Sequence, residues 1–533
     1  MRRDSNAEPS SLQPSGLLSR EAMTGKFSLR AILSTGDGDA GEPSGMTVSL
    51  PRDDPVDLGL VNSTIAKSLF ENFMTVLNPY ICQMDPVLHT YPYVRQRSSF
   101  LFTAMLAMAA KLFNTSIHKQ LHEHAEELLS RCFREGSKSA EIAQGALILT
   151  YWKEPQDTRA WTLVGWVIRM CIDLDWHKLA ASLGGSYDDK SELERREVRN
   201  VERTWLVLFV YDRSISLQTG KPYMIERNDF IESVDTWCNN SISIANDFFL
   251  GALVRLRLET SVIFNLIGPK RFGRDGLSLN NIESLLTLIN RRIMEWQNRW
   301  VQLAEQQGPP DEESCHPFLI RFYGTHLRLQ VFSLPLQELL RACDPESSPS
   351  LEMLWVAYSS ATDMLRMIPQ NSSRLFFAQD SVHIMIAYSA AFLIKLLVLA
   401  PESMTKEIEP STLEIIRNAA IAFSQQAAQP GSSCALQAGF LNKVTSNLAT
   451  RWRTESRSAA ANQVVAVAAQ TPIQGNRPSS TRTPAQSRDW AILDSVDPAS
   501  QQGTLDFQFV SDETWEHLFA SAGFSTQDGV FLA

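Results

Sequence analysis

Residues 192–230 decide the fold of this chain, and they read ELERREVRNVERTWLVLFVYDRSISLQTGKPYMIERNDF. From Val198 to Ile215 the apolar side chains recur at spacings of three and four residues. This is the spacing of a helix that buries one face, so a long helix is predicted here. Asp212 falls on the same face, and the pattern therefore places a carboxylate inside the apolar core.

A buried carboxylate needs a partner that compensates for the loss of water. The neighbouring Arg213 leaves the helix about 100 degrees around its axis from Asp212, so it is not the expected counter-ion of that carboxylate. Arg169 is the only charged residue in the apolar segment 160–172. We therefore predict a buried ion pair between Arg169 and Asp212 that locks two helices together. The alternative, in which Asp212 is a catalytic acid, has no nearby nucleophile or second carboxylate to support it.

The charged run from Glu192 to Arg203 precedes the most apolar part of this helix. Oppositely charged residues four positions apart, such as Glu192 and Arg196, stabilise the exposed side of a helix. We interpret the whole run as a solvated face rather than as a binding site.

The rest of the sequence predicts an all-α protein with one large helical region. Helical periodicities follow one another through residues 59–452 with hardly a strand signal, and Phe100–Phe113 is apolar on every side, as a central helix would be. A chain of 533 residues exceeds a single hydrophobic core, which stops growing at roughly 250 to 300 residues, so two lobes are expected. The apolar stretch Ile384–Ala400 contains Lys395, which favours a buried core helix over a membrane span.

Composition and motifs argue against several classes of function. A net charge of -10 works against broad attraction to nucleic-acid phosphates. The seven cysteines are scattered without any CxxC pair, which indicates reduced thiols and no metal site. His118, His122 and Glu126 have a spacing that could bind a metal, but an exposed polar helix face is the favoured interpretation. No GxSxG or HExxH motif occurs, so neither an enzyme nor a cofactor is expected.

Three segments outside the helical region differ from it in composition. Residues 1–58 are rich in Ser, Gly, Pro and Asp and are predicted to form a disordered tail. Residues 453–488 are rich in Ala, Ser, Pro and Arg and are predicted to form a flexible linker. Residues 489–533 carry eight Asp or Glu and no Lys or Arg. Large apolar residues are interspersed among these acids.

Such an acidic and hydrophobic segment can form a short amphipathic helix in the groove of a partner. The apolar residues that share one helical face are Trp515, Leu518 and Phe519. The segment is interpreted as an activation segment, with a terminus that packs on its own domain as the alternative.

Several short motifs in the middle of the chain occur in a familiar order. They are Ala160–Trp161, Gly165, Arg169–Met170, Leu174–His177, Glu194–Arg196, Arg203–Trp205, Tyr211, Asp212, Arg213, Ser216, Gly220, Lys221 and Pro222. Together they resemble the middle regulatory region of fungal zinc-cluster transcription factors, strongly over residues 140–230 and more weakly over 60–450. The segment Asp175–His177 and Lys221 depart mildly from that pattern. The resemblance implies an all-helical domain that controls activity through an effector or an inhibitor.

The resemblance does not extend to the DNA-binding module of that family, which holds two zinc ions with six closely spaced cysteines. This sequence has no cysteine before Cys82, so the thiolates of such a module are not present in it. DNA is therefore expected to be reached only indirectly or through a module missing from this chain. A homodimer or a pairing with another family member is the second contact that we expect.

These observations predict a nuclear transcription regulator of the activator type. Its helical domain would control activity, and its last segment would recruit a coactivator or the general transcription machinery, with no membrane contact. The alternative is a scaffold or corepressor that uses the helical domain for protein contacts alone and does not bind DNA.

Overall fold

The chain is helical throughout the part that the computed structural model describes, which is residues 53–446 apart from gaps at 154–156, 181–189, 220, 268–278, 308–313, 343–350, 400–401, 427–431 and 444. No strand occurs among these residues, and the all-α prediction is confirmed. In chain order the helices are α1 (Ser63–Asn72), α2 (Asn78–Ile81), α3 (Tyr91–Arg97), α4 (Ser99–Phe113), α5 (Thr115–Glu135), α6 (Ala140–Tyr151), α7 (Ala160–Asp173), α8 (Glu192–Thr219), α9 (Asp229–Glu232), α10 (Val234–Cys238), α11 (Ala245–Ile267), α12 (Leu279–Gln307), α13 (His316–Ala342), α14 (Leu351–Gln370), α15 (Ser372–Leu375), α16 (Asp380–Leu399) and α17 (Glu402–Ser424).

Two turns of other pitch and three predicted segments complete the description of the chain. A π-helical turn, Phe73–Leu77, follows α1, and a 3₁₀ turn, Trp176–Lys178, follows α7. Most of the predicted tail 1–58, the predicted linker 453–488 and the acidic segment 489–533 lie outside the described residues.

Helix α4 is the centre of the N-terminal half. It begins after Ser98, whose side-chain oxygen accepts a hydrogen bond from the backbone N–H of Leu101 at 3.1 Å. Every residue from Ser99 to Ala110 is buried, as a helix with apolar residues on every side requires. Helices α1, α5 and α6 pack around it.

Helix α6 approaches α4 closely because residue 145 is a glycine. A Cβ atom added at Gly145 would lie 2.6 Å from Cε1 of Phe100. Phe100 is 4% exposed, so its ring is packed inside the core at this contact. The contact explains a glycine in the interior of a helix, where glycine is usually unfavourable.

The described helices share one hydrophobic core, which contains buried residues from every long helix. The two halves of the chain also exchange hydrogen bonds. The indole N–H of Trp152 donates to the carbonyl oxygen of Ala378 at 3.2 Å. The hydroxyl of Tyr80 donates to the backbone carbonyl oxygen of Arg374 at 2.6 Å. The predicted division into two lobes is therefore wrong for the described residues, because the two halves bury their apolar faces against each other and form one unit.

Helix α16 contains the longest apolar stretch of the sequence. Among the described helices, it alone is long and apolar enough to cross a membrane, over residues 380–397. Of these residues, 67% are buried inside the protein. That degree of burial agrees with the core helix predicted from the sequence.

Replacement of Gly145 by alanine tests the contact between α4 and α6. The change Gly145→Ala should lower the free energy of unfolding by about 1–3 kcal/mol, because the new methyl group overpacks the core against Phe100. Chemical denaturation of the full chain measures the effect. The matched control is Gly439→Ala in the helical stretch 433–443, where a Cβ atom meets nothing within 4 Å. This control should be neutral or stabilise the protein by up to about 1 kcal/mol, and equal effects at both sites would contradict the packing argument.

Candidate functional site

The charged run at the start of α8 is exposed at Glu192 and Glu194 but becomes buried from Arg199 to Arg203. Arg196, Arg199 and Arg203 lie on one face of the helix, and their side chains are 11%, 3% and 0% exposed. The pair between Glu192 and Arg196 is present, with Nε and Oε1 2.9 Å apart. The prediction of a solvated face therefore holds for the first residues of the run and is wrong for the arginine face, because two further carboxylates reach that face from other parts of the fold.

Asp85 and Asp247 supply these carboxylates, and both are fully buried. Asp247, in the first turn of α11, accepts a bond from Nη2 of Arg199 at 2.9 Å and another from Nε of Arg203 at 2.7 Å. Asp85, in the loop between α2 and α3, accepts one from Nη1 of Arg196 at 2.9 Å. We call these five residues the α8 charge cluster.

The α8 charge cluster keeps its charges despite the loss of water. Burial alone raises the pKa of the Asp247 carboxyl, but the guanidinium groups of Arg203 and Arg199 outweigh that effect and hold the pKa below its usual value. Arg199 also packs its guanidinium 3.8 Å from the ring centre of Trp237 and donates to the carbonyl oxygen of the same residue. The cluster thus joins α8, α10, α11 and the loop before α3, and its arginines are occupied by protein groups.

The predicted ion pair between Arg169 and Asp212 is wrong. Asp212 is 5% exposed, as predicted, but its Oδ2 accepts hydrogen bonds from the backbone N–H groups of Met224 and Ile225, each at 2.8 Å. Arg169 is exposed and donates to the carbonyl oxygen of Gly165 in its own helix. Two amides of the returning chain satisfy the carboxylate, so no cation from α7 is needed.

Arg213 holds the same returning segment from its other side. Its Nη2 donates to the carbonyl oxygen of Ile225 at 3.0 Å, and its Nη1 donates to Oγ of Ser261 at 3.1 Å. Its guanidinium carbon lies 3.3 Å from the ring centre of Tyr223. Although Asp212 and Arg213 leave the helix in different directions, both bind residues 223–225, and together they fix the segment that follows α8.

The other residues that carry the family resemblance lie at separate places in the fold. Tyr211 stacks on Tyr151, with ring centres 5.1 Å apart. Lys221 places its ammonium 4.6 Å from the ring centre of Trp161 at the surface, and Pro222 is exposed. Two sets of predicted site residues lie outside the described part of the chain, namely Gly220 and the activation-segment residues Trp515, Leu518 and Phe519.

The histidines considered for metal binding have other contacts. His118 shares a hydrogen bond between its Nδ1 and the carbonyl oxygen of Ala107 at 2.9 Å, and His122 lies 3.8 Å from the carboxylate of Glu126. Both histidines are half-buried, so the polar face that the sequence favoured is only partly exposed at these two positions. Within the described residues, no three His, Cys, Asp or Glu side chains are grouped so that they could hold a metal ion.

Comparison with known proteins gives this helical region a family. Residues 69–247, which end at the shared carboxylate of Asp247, match the Fungal specific transcription factor domain. Over 405 residues the chain is 31% identical to Protein priB of Lentinula edodes, an alignment that covers 72% of this chain and 66% of that protein. Over 368 residues it is 23% identical to the Transcriptional activator of proteases prtT of Emericella nidulans, covering 66% of this chain and 53% of that protein.

The family that the motifs predicted is therefore confirmed, and the comparisons agree with a regulatory protein rather than an enzyme. The chain spans only 66% and 53% of the lengths of these two relatives.

Loss of the carboxylate of Asp247 tests the α8 charge cluster. The change Asp247→Asn should lower the free energy of unfolding by about 3–5 kcal/mol, because Arg199 and Arg203 keep their buried charges without the anion. Thermal and urea unfolding of the full chain measure the loss. The matched control is Glu71→Gln, which breaks a surface ion pair with Lys67. The side chains of Lys67 and Glu71 are 65% and 62% exposed. That change should cost less than about 1 kcal/mol, and a similar cost for both changes would refute the role of the cluster.

A double-mutant cycle distinguishes the observed partners of Asp212 from the predicted one. The change Asp212→Ala leaves two amides without an acceptor, at a cost of about 1–3 kcal/mol for each group that stays unsatisfied. The change Arg169→Ala should alter stability by no more than about 0.5 kcal/mol. The two effects should add to within about 0.5 kcal/mol in the double variant. A larger coupling energy, measured by urea unfolding, would reinstate an interaction between Arg169 and Asp212.

Proposed function

We propose, from the premise that residues 69–247 of this chain are a fungal specific transcription factor domain, that the protein is a nuclear transcription regulator acting as an activator. The observation that carries the proposal is the family match, which covers α8 and the α8 charge cluster. One relative bears the name of a transcriptional activator and aligns with 66% of this chain, which supports the same direction of regulation.

In this proposal the helical region controls activity through the way its helices are packed. The three arginines of the α8 charge cluster and both residues that hold the segment 223–225 are bound to protein groups. These charges therefore serve to orient helices, and regulation would act through the arrangement of the helices around α8.

The activating element in this proposal is the acidic segment 489–533. Repulsion among its acids would keep the intervening aromatic residues available to a partner, and a coactivator or the general transcription machinery would offer a groove for them. Trp515, Leu518 and Phe519 are the proposed contact residues, since they share one face when the segment is drawn as a helix. DNA would be reached indirectly, through a homodimer or family partner, or through a module missing from this chain.

A fusion experiment tests the activating role. Residues 489–533 joined to an unrelated DNA-binding domain should raise the output of a reporter gene above that of the DNA-binding domain alone. The variant Trp515→Ala/Leu518→Ala/Phe519→Ala keeps every acid and should return the output to background, because the apolar contacts are lost. The matched control removes three acids, by Asp489→Asn, Asp494→Asn and Asp497→Asn, and should keep most of the output. A silent parent fusion would favour the scaffold or corepressor instead.

A further inference from the structure

A cavity of about 60 Å³ lies where six helices meet. Its walls come from α2, α6, α8, α11, α13 and α16 together with the residue before α16, and no Asp or Glu lines it. A single water occupies roughly 10–15 Å³ on this measure, so the space holds several water-sized groups. The residues used in the argument below are Tyr151, Val210, Tyr211, Arg257, Tyr323 and Gln379.

Arg257 is the charged residue of this cavity, and it is 7% exposed. Its guanidinium forms no ion pair and donates no hydrogen bond to any described residue, and its Nε is buried without an acceptor. Arg199 and Arg203 are buried to a similar degree, but both bind Asp247. An isolated buried cation is strongly unfavourable, so the position calls for an anion that the described residues do not supply.

The titratable side chains beside Arg257 do not neutralise it. Tyr323 interacts electrostatically with Arg257, and burial raises the pKa of the Tyr323 hydroxyl to about 12, so this group is uncharged at neutral pH. Burial, reinforced by Arg257, lowers the pKa of His326 to about 3, so this ring is uncharged as well. Burial also lowers the pKa of Arg257 itself to about 10, which still leaves it protonated at neutral pH.

The rest of the wall determines which anion fits. Tyr151 and Tyr211 form a stacked aromatic pair, and Val210 adds an aliphatic surface. Tyr323 and Gln379 supply polar groups and are already joined by a hydrogen bond of 3.2 Å from the amide to the hydroxyl. One guanidinium opposite apolar walls matches a monocarboxylate with a short apolar body, because a planar fork binds a carboxylate through two bonds. A phosphate dianion would need more positive charge than this wall provides.

We propose that Arg257 and this cavity bind a small organic monocarboxylate. The guanidinium binds the carboxylate, and the apolar body lies against the aromatic pair and Val210. Tyr211 and Val210 belong to α8, directly before Asp212 and Arg213, so an occupied cavity would join α8 to α11 and α13. The binding step stands on the cavity alone, and only its role as a regulatory signal rests on the proposed function.

Binding of butyrate to the purified full chain tests the site, with butanamide as an uncharged molecule of the same shape. Butyrate should raise the melting temperature in a dose-dependent manner and give a saturable signal in calorimetry, whereas butanamide should do neither. The change Arg257→Met should weaken butyrate binding by at least about tenfold, because the bidentate contact is lost. This variant should fold, since an apolar residue replaces an unpaired buried charge.

A second variant and a second anion keep the result decisive. The change Val210→Phe fills the cavity from its apolar side and keeps Arg257, and it should also abolish butyrate binding. Equal shifts with butyrate and butanamide, unchanged binding by Arg257→Met, or a larger shift with inorganic phosphate than with butyrate would each overturn the proposal. Because binding is measured on the isolated protein, its failure leaves the reporter experiment untouched, and a silent reporter leaves the binding result untouched.

Discussion

The carboxylate of Asp247, shared between Arg199 and Arg203, is the interaction on which the arrangement of the helices depends. It places the start of α11 against the first half of α8, and the same arginine face reaches Asp85 in the loop before α3. Buried charges have a large desolvation cost, which is offset only when the geometry of every partner is satisfied. The cluster therefore restricts the ways in which the helices can pack, and the segment 223–225 is fixed in turn by the end of α8.

Helical periodicity was sufficient to predict the fold class, the long helix α8 and the buried position of Asp212. These features depend on local spacing, which one sequence displays directly. The family could also be predicted, because the order of short motifs around α7 and α8 is a property of the sequence. The size argument for two lobes failed for the described residues, since it assumed that each half buries its apolar faces separately.

The partners of the buried charges could not be predicted by the same means. Backbone amides carry no sequence signal, so the acceptor role of Asp212 toward residues 224 and 225 is not visible in the residue pattern. The burial of the arginines had a signal that was missed. Arg196, Arg199 and Arg203 lie on the face that continues into Val207 and Val210, so this side of α8 turns apolar as well. A helix with apolar residues on opposite faces lies inside the protein, and charges in line with them need counter-ions.

The hydrogen bonds from Tyr80 and Trp152 to carbonyl groups near residues 374–378 have a consequence for synthesis of the protein on the ribosome. A nascent chain that has reached residue 250 contains the whole family-matched region, but it lacks the backbone that accepts these bonds. Contacts so distant in sequence form late, because a long loop must close before they can be made. The apolar faces of the N-terminal helices therefore stay incompletely covered until the C-terminal half has been synthesised. We expect chaperones to bind these faces during translation.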